Sequence, residues 1–334
     1  MVQYVPDYDP KLDLRQTQQA IKVIKDTFQV LLAQNLHLER VTAPVLILGG
    51  TGINDDLSGV ERKVDFTVRE MNEAHAEVVQ SLAKWKRVAL GRYGFRPGEG
   101  IYTDMNAIRR DDSMDNTHSI FVDQWDWEKV ITAEQRTEEY LKHTVRRIAK
   151  AVADTHRLLQ QKYPLLTAPI SEDVYFITAQ ELEDRYPDMT GKEREDAITR
   201  EHGTVFLMQI GDPLRSGQPH DSRAPDYDDW TLNGDLLYWN GVLGHALEIS
   251  SMGVRVDAAA LSRQLTAAGA EDRLVHAYHQ GILQGSLPLT IGGGIGQSRL
   301  CMLMLEKAHV GEVQVSIWPA DMVADCERHG IPLL

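Results

Sequence analysis

The chain has 334 residues, 43% hydrophobic and 25% charged, enough to bury a substantial core as one large or two medium domains. Its 49 acidic and 35 basic residues leave a net charge of −14, which repels polyanions and disfavours a nucleic-acid or anionic-membrane partner; a local basic pocket for a small anion is still compatible. Cys301 and Cys326 supply no disulfide framework and no zinc spacing, the start lacks a signal-peptide core, and no run reaches the ~18 apolar residues of a membrane helix, so a soluble protein in a reducing cytoplasm is expected.

Residues 17–36 place Ile21, Ile24, Phe28, Leu31 and Leu32 at helical spacing. A strand over 38–48 follows, interrupted by Pro44, which confines it to an edge or an interface. The polar loop Gly49-Gly-Thr-Gly-Ile-Asn-Asp-Asp-Leu-Ser-Gly59 separates it from short strands at 64–68 and 77–79. The stretch 81–90 opens on Ser81, a capping residue, and reads as a helix carrying Lys84, Lys86 and Arg87. Strands at 101–109 and 119–127 are joined by the charged loop 110–117. A long helix then sets Leu141, Val145, Ile148, Val152 and Leu159 on one stripe. Further strands are expected at 174–178, 205–210, 236–240 and 246–249, with helical stretches near 179–186 and 191–201. No linker, low-complexity tract or repeat divides the chain, so residues 1–334 read as one α+β domain. Its sheet is expected to be mostly antiparallel, because the strand pairs within 101–127 and 236–250 have no crossover helix between them.

Val122-Asp-Gln-Trp-Asp-Trp-Glu128 alternates, so in a strand Asp123, Trp125 and Trp127 share one face and Gln124, Asp126 and Glu128 the other. That polar face is either a wet sheet surface or a pocket floor suited to a substrate ammonium group. Arg223-Ala-Pro-Asp-Tyr-Asp-Asp-Trp230 gathers three carboxylates and an arginine, as a solvated acidic loop or as one anchored by Pro225, Tyr227 and Trp230. His220 has no second histidine at ligand spacing and reads as a loop residue. Asp235 and Glu248 sit in apolar runs, where a carboxylate needs a metal or a cationic partner, and Mg2+ bridging nucleotide phosphates is the natural one. Thr290-Ile-Gly-Gly-Gly-Ile-Gly-Gln-Ser-Arg299, running into Leu300-Cys-Met-Leu-Met-Leu305, reads as backbone suited to close approach to a ligand, with Arg299 opening a buried helix; a tight turn before a core helix is the alternative. It matches neither a P-loop nor a dinucleotide fingerprint. No Gly-x-Ser-x-Gly elbow occurs and neither cysteine has a His-paired setting, which disfavours covalent hydrolase chemistry.

Together these segments resemble ammonia-dependent asparagine synthetase, the AsnA type of aspartate–ammonia ligase, over almost the whole chain. The stretches that carry the resemblance are Asp56-Leu-Ser-Gly59, Ser81-Leu-Ala-Lys-Trp-Lys-Arg87, Gly98-Glu-Gly-Ile-Tyr-Thr103, Val122-Asp-Gln-Trp-Asp-Trp-Glu128, Arg223-Ala-Pro-Asp-Tyr-Asp-Asp-Trp230, Leu232-Asn-Gly-Asp235, Ser250-Ser-Met-Gly253 and the glycine–arginine run. That family is similar to the catalytic core of class II aminoacyl-tRNA synthetases. The resemblance implies an antiparallel sheet flanked by helices, and a homodimer in which the first helix and the strand containing Pro44 form motif 1. It implies the reaction aspartate + ATP + ammonia → asparagine + AMP + diphosphate through β-aspartyl-AMP, with Mg2+ at Asp235 and Glu248. Arg109 resembles the motif 2 arginine on the α-phosphate, and Arg299 the motif 3 arginine on adenine or the γ-phosphate. Aspartate recognition and ammonia handling are implied for Asp55, Ser81, Lys86, Gln124 and Asp126. Lys86 would oppose a substrate carboxylate, Gln124 and Asp126 would hold the α-ammonium, and Asp55 would deprotonate ammonium. Nucleotide and amide-product contacts are implied for Arg223, Asp228, Glu248, Ser250, Ser251 and Arg255. Where the better-known form has Asn after that aspartate this chain has Asp56, which stands as the alternative to Asp55. A tRNA-dependent synthetase is disfavoured by the net charge, and a glutamine-dependent one by Val2, where a cysteine nucleophile is usual.

Overall fold

The computed structural model describes residues 2–57 and 61–334, so Ser58 and Gly59 of the Asp56-Leu-Ser-Gly59 stretch lie outside the described residues. Helix α1 (Leu14–Leu36) begins in a capping box: Gln16 N donates to Asp13 Oδ1 at 2.7 Å and Asp13 N donates to Gln16 Oε1 at 3.1 Å. The expected strand over 38–48 is two strands, β1 (Leu38–Arg40) and β2 (Leu46–Leu48), and Pro44 lies between them. They enter different sheets. Among the described residues β2 joins β3 (Asp65–Val68) and β4 (Ala74–Val78) in a small antiparallel sheet ordered β2-β4-β3.

Helix α2 (Ala83–Tyr93) leads to β5 (Gly100–Ile108) and β6 (Phe121–Val130), the expected antiparallel pair. Helix α3 (Glu138–Lys162), capped by Thr137, buries the predicted stripe from Leu141 to Leu159. Then come β7 (Tyr175–Thr178), α4 (Ala179–Arg185), α5 (Gly191–His202), β8 (Thr204–Met208), β9 (Asp228–Asn240) and β10 (His245–Arg255). Helices α6 (Ala258–Ala268) and α7 (Ala277–Leu283) precede β11 (Thr290–Gly296), and α8 (Gln297–Met304) and α9 (Ala320–Arg328) close the chain. Among the described residues eight strands form the main sheet, in the order β1-β5-β6-β11-β10-β9-β8-β7. Only its outer pairs, β1 with β5 and β7 with β8, are parallel, so the expectation of a mostly antiparallel sheet is met by a mixed one.

The two faces of this sheet differ in chemistry. Trp125, Trp127, Leu236, Tyr238, Met252, Val254, Ile291 and Ile295 pack into one core with Phe28, Leu32, Val145 and Ile148 from α1 and α3. Phe28 and Trp125 stand with ring centroids 4.7 Å apart. The opposite face carries the polar alternates, which is why the sequence signal for strands is incomplete. The first three residues of β9, Asp228 to Trp230, are hidden in the acidic run, where carboxylates replace the apolar alternates that mark a strand. The same cause hides the C-terminal half of β10, with its serines and Arg255.

The glycine run requires a correction. It is neither a turn nor a loop but β11, paired with β10 on one side and β6 on the other. A Cβ on Gly293 would stand 2.5 Å from Met252 Cβ and 2.7 Å from Ser251 O, so the neighbouring strand tolerates only hydrogen there. Because backbone cannot swing aside as a flexible side chain can, Gly293→Ala is expected to destabilise the protein by about 1–3 kcal/mol, read as a lower urea midpoint with unchanged slope.

Candidate active site

A single register row crosses the polar face. Thr103 of β5 pairs with Asp126 of β6, Asp126 with Gly294 of β11, Gly294 with Ser251 of β10, and Ser251 with Asp235 of β9. At ~4.8 Å per strand, Asp126 and Asp235 lie ~14 Å apart with a glycine and a serine between them. The floor between the two acids is therefore nearly bare, and above it opens a cleft of about 600 Å³. Asp55, Ser81, Lys86, Arg109, Gln124, Asp126, Arg223, Asp228, Glu248, Ser251, Arg255 and Arg299 all line it. These come from loops and strands more than 200 residues apart in sequence, which only the sheet order brings together.

At the Asp126 end, Lys86 Nζ is ion-paired with Asp126 and donates to Gly293 O at 3.0 Å. Burial lowers the Lys86 pKa while Asp126 works to raise it. Lys86 is thus paired with Asp126, a partner that spacing along the sequence does not reveal. Asp126 Oδ2 is buried and has no hydrogen-bond partner, leaving an acceptor for a donor such as an ammonium group. Asp55 is buried, accepts from Leu57 N at 3.0 Å, and is pushed above the ordinary carboxylate range by burial, with Lys84 opposing. Asp56 instead turns to an adjoining groove, where Lys63 meets it at 2.7 Å. Of the two alternatives, Asp55 is the one on the cleft.

At the Asp235 end, Arg223 pairs with Asp235 and meets Asp221 at 2.9 Å. Burial raises the Asp235 carboxyl to about 7 in spite of Arg223, with Glu248 adding to the rise, and its Oδ1 has no hydrogen-bond partner. Arg299, in the first turn of α8, donates to Glu248 O at 3.1 Å and lies 3.6 Å from Glu248 Oε2. Arg109 reaches Gln80 O through Nε at 3.3 Å. These two guanidinium groups keep loose contacts. Arg255, by contrast, is clamped: Nη2 meets Glu128 Oε2 at 2.8 Å and Nη1 meets Asp228 Oδ1 at 2.5 Å. Glycine makes this clamp possible, because a Cβ on Gly292 would overlap both Glu128 and Arg255. Asp235 and Ser250 are the two expected site residues that do not reach the cleft lining, Asp235 lying buried beneath it. Ser250 alternates with Ser251, and its buried hydroxyl has no hydrogen-bond partner.

A family model for aspartate-ammonia ligase matches residues 15–330. The chain belongs to the aspartate–ammonia ligase family. It is 57% identical to the aspartate–ammonia ligase of Clostridium tetani, over 98% of this chain and 96% of that protein. It is 56% identical to that of Levilactobacillus brevis, over 99% of each. In fold it is similar to the asparaginyl-tRNA synthetase of Entamoeba histolytica in complex with asparaginyl-adenylate (TM-score 0.66, 15% identity, 90% of this chain and 66% of that one). The asparaginyl-tRNA synthetase of Pyrococcus horikoshii is alike to a similar degree (TM-score 0.64, 17% identity, 91% and 70%). The fold is that of class II aminoacyl-tRNA synthetase catalytic cores, as the resemblance implied.

In this member of the family a buried group near the cleft was missed by sequence reading. Asp226 is met by Lys84 at 2.8 Å, His279 at 3.0 Å and Arg273 at 3.1 Å. Asp226 was visible within the acidic run, yet Arg273 and His279 carry no local signal, because only the packing of α7 against that run joins them. The clamp beneath the cleft has a measurable cost of removal. Arg255→Met leaves Glu128 and Asp228 buried without their cation, and a loss of about 3–5 kcal/mol is expected in urea denaturation.

Proposed function

We propose that this chain makes L-asparagine from L-aspartate, ATP and ammonia, passing through β-aspartyl-AMP and releasing AMP and diphosphate. The observation that carries the reading is the full-length identity of 57% with an aspartate–ammonia ligase. The cleft gives that reaction a physical form. A carboxylate is a poor acyl donor, so its oxygen must first attack the α-phosphorus and acquire a leaving group. Both reactants are anions, and Arg109 and Arg299 supply positive charge where they meet. Asp126 Oδ2 and Gln124 suit the substrate's α-ammonium group, with Ser81 and Lys86 beside them. Arg223, Asp228, Ser251 and Arg255 shape the nucleotide end of the cleft.

Asp235 and Glu248 fit a divalent cation, since Asp235 Oδ1 is buried without a partner and Glu248 stands near enough to raise its pKa. Two acids suit Mg2+, which takes its remaining ligands from phosphate oxygens and water. When bound there, Mg2+ would offset the charge of the triphosphate. Ammonia is the nucleophile of the second step, and ammonium predominates at neutral pH, so a base is needed; Asp55 is the carboxylate on the cleft wall for that proton. The reading extends to one catalytic domain over 1–334 and to a homodimer, supported by the exposed apolar side chains of Val45, Leu46, Leu48 and Phe66 on the small sheet. No helix among the described residues is long and apolar enough to cross a membrane, and both cysteines are buried and free, which supports a reducing cytoplasm.

The purified protein is expected to form AMP and diphosphate from aspartate and ATP with ammonium salts, and far more slowly with glutamine. ADP and inorganic phosphate as products would overturn the reading. Asp55→Asn is expected to spare adenylate formation while slowing amidation by about 10²–10⁴-fold, followed by pulse-chase of the adenylate. Because burial raises the Asp55 pKa, amidation should fall at higher pH than an ordinary carboxylate base would give as acid is added. That acidic limb should vanish in Asp55→Asn.

A further inference from the structure

Of the carboxylates in the 223–230 run, Asp226 and Asp229 have no place in the chemistry above; Asp229 pairs with Arg136 at 2.8 Å, whereas Asp226 lies against the loop of Asp55 through Lys84. It is fully buried, yet three cationic or donor groups from separate elements converge on it. Lys84 comes from α2 and His279 from α7, while Arg273 comes from the turn between α6 and α7. Burial opposes its ionisation, but Lys84, His279 and Arg273 hold it well below the usual carboxylate range.

Lys84 does more than neutralise it. Its ammonium group has three donors, and besides Asp226 it reaches Gly52 O and Asn54 O, each at 3.2 Å. Those carbonyls belong to the loop that ends in Asp55. Asn54 continues the attachment: its Oδ1 accepts from Asp55 N at 3.1 Å and Gln80 N at 2.9 Å, while its Nδ2 donates to Glu77 and to Val78 O. Gly52 closes the assembly, with φ of +73° and no room for a Cβ beside His276. The loop backbone is thus held from below by one ammonium group whose own position depends on a single carboxylate.

We propose that Asp226 is a positioning residue for amidation, fixing Lys84 so that its ammonium group sets the 52–54 backbone and with it the place of Asp55. This rests on the reading of Asp55 as the base. The charged and titratable groups around Asp55 are Lys84, Asp226, Arg109, Tyr227 and Arg273. Removing the anion at 226 favours ionised Asp55, and removing a cation at 84 or 273 disfavours it. Those shifts follow from charge alone; a cluster serving stability alone would leave the amidation rate of a folded variant unchanged on the plateau above the limb, where Asp55 is ionised.

The test is single-turnover amidation of preformed adenylate across pH, with the unaltered enzyme and folded variants checked by circular dichroism. Asp226→Asn is expected to slow amidation by about 10²-fold, from displacement of the loop, and to move the acidic limb down by about one pH unit. Lys84→Met and, less strongly, Arg273→Gln should move it up. A plateau rate equal to the unaltered enzyme's in folded Asp226→Asn overturns the proposal, even if the limb moves. If the buried variants do not fold, Arg273→Gln, at a side chain 17% exposed, decides alone, and an unchanged plateau rate of amidation there overturns it. Persistence of the limb in Asp55→Asn instead overturns the base assignment, a separate failure.

Discussion

A charge buried within a sheet must be met by another charge, and the organisation of this molecule follows from where that is done. Glu128 and Asp228 are buried on the same strands, β6 and β9, that carry Asp126 and Asp235. Arg255 spans the gap between them, and it can do so only because Gly292 and Gly253 offer no side chains in its path. Removing one member leaves an unpaired buried ion, which costs far more than the pair itself contributes. The clamp therefore fixes the relative position of β6, β9, β10 and β11, and those strands carry both ends of the cleft.

The same logic explains how a chain of net charge −14 prepares a site for two anions. Its cleft cations are not bare. Lys86 and Arg223 are paired with Asp126 and Asp235, while Arg109 and Arg299 keep looser contacts. Pre-pairing lowers the desolvation cost of holding cations in a partly closed space, and it leaves a second carboxylate oxygen on Asp126 and on Asp235 to accept from a ligand or hold a cation. The two orphaned oxygens lie on one register row three strand spacings apart, so the sheet itself fixes their separation.

Sequence reading succeeded where local pattern reports local structure. The stripe from Leu141 to Leu159 gave α3, and the alternation from Val122 to Glu128 gave both the strand and the two faces of β6. It failed where the cleft suppresses that pattern. The acidic residues of early β9 read as a loop, and the glycine run, which lines the cleft, gave no sign of being strand β11 because glycine has no side chain with which to show a period. The pairing of Lys86 with Asp126, 40 residues on, cannot be inferred from spacing. His220 lies in a loop as read, and its enclosed side chain bonds to Glu195 at 2.9 Å, a partner 25 residues away that spacing does not show.

What the sequence by itself determined is the family, the polar face of β6, and the residue types needed to bring anions together. Periodicity and motif spacing are short-range properties, and these features are written within short stretches. What only the tertiary structure decided is which acid meets which cation: Asp55 on the cleft and Asp56 off it, Ser251 in and Ser250 out, Asp226 beneath Lys84. Those outcomes depend on strand register and on helices packed from distant parts of the chain, and electrostatic pairing over a few ångströms has no counterpart in separation along the sequence.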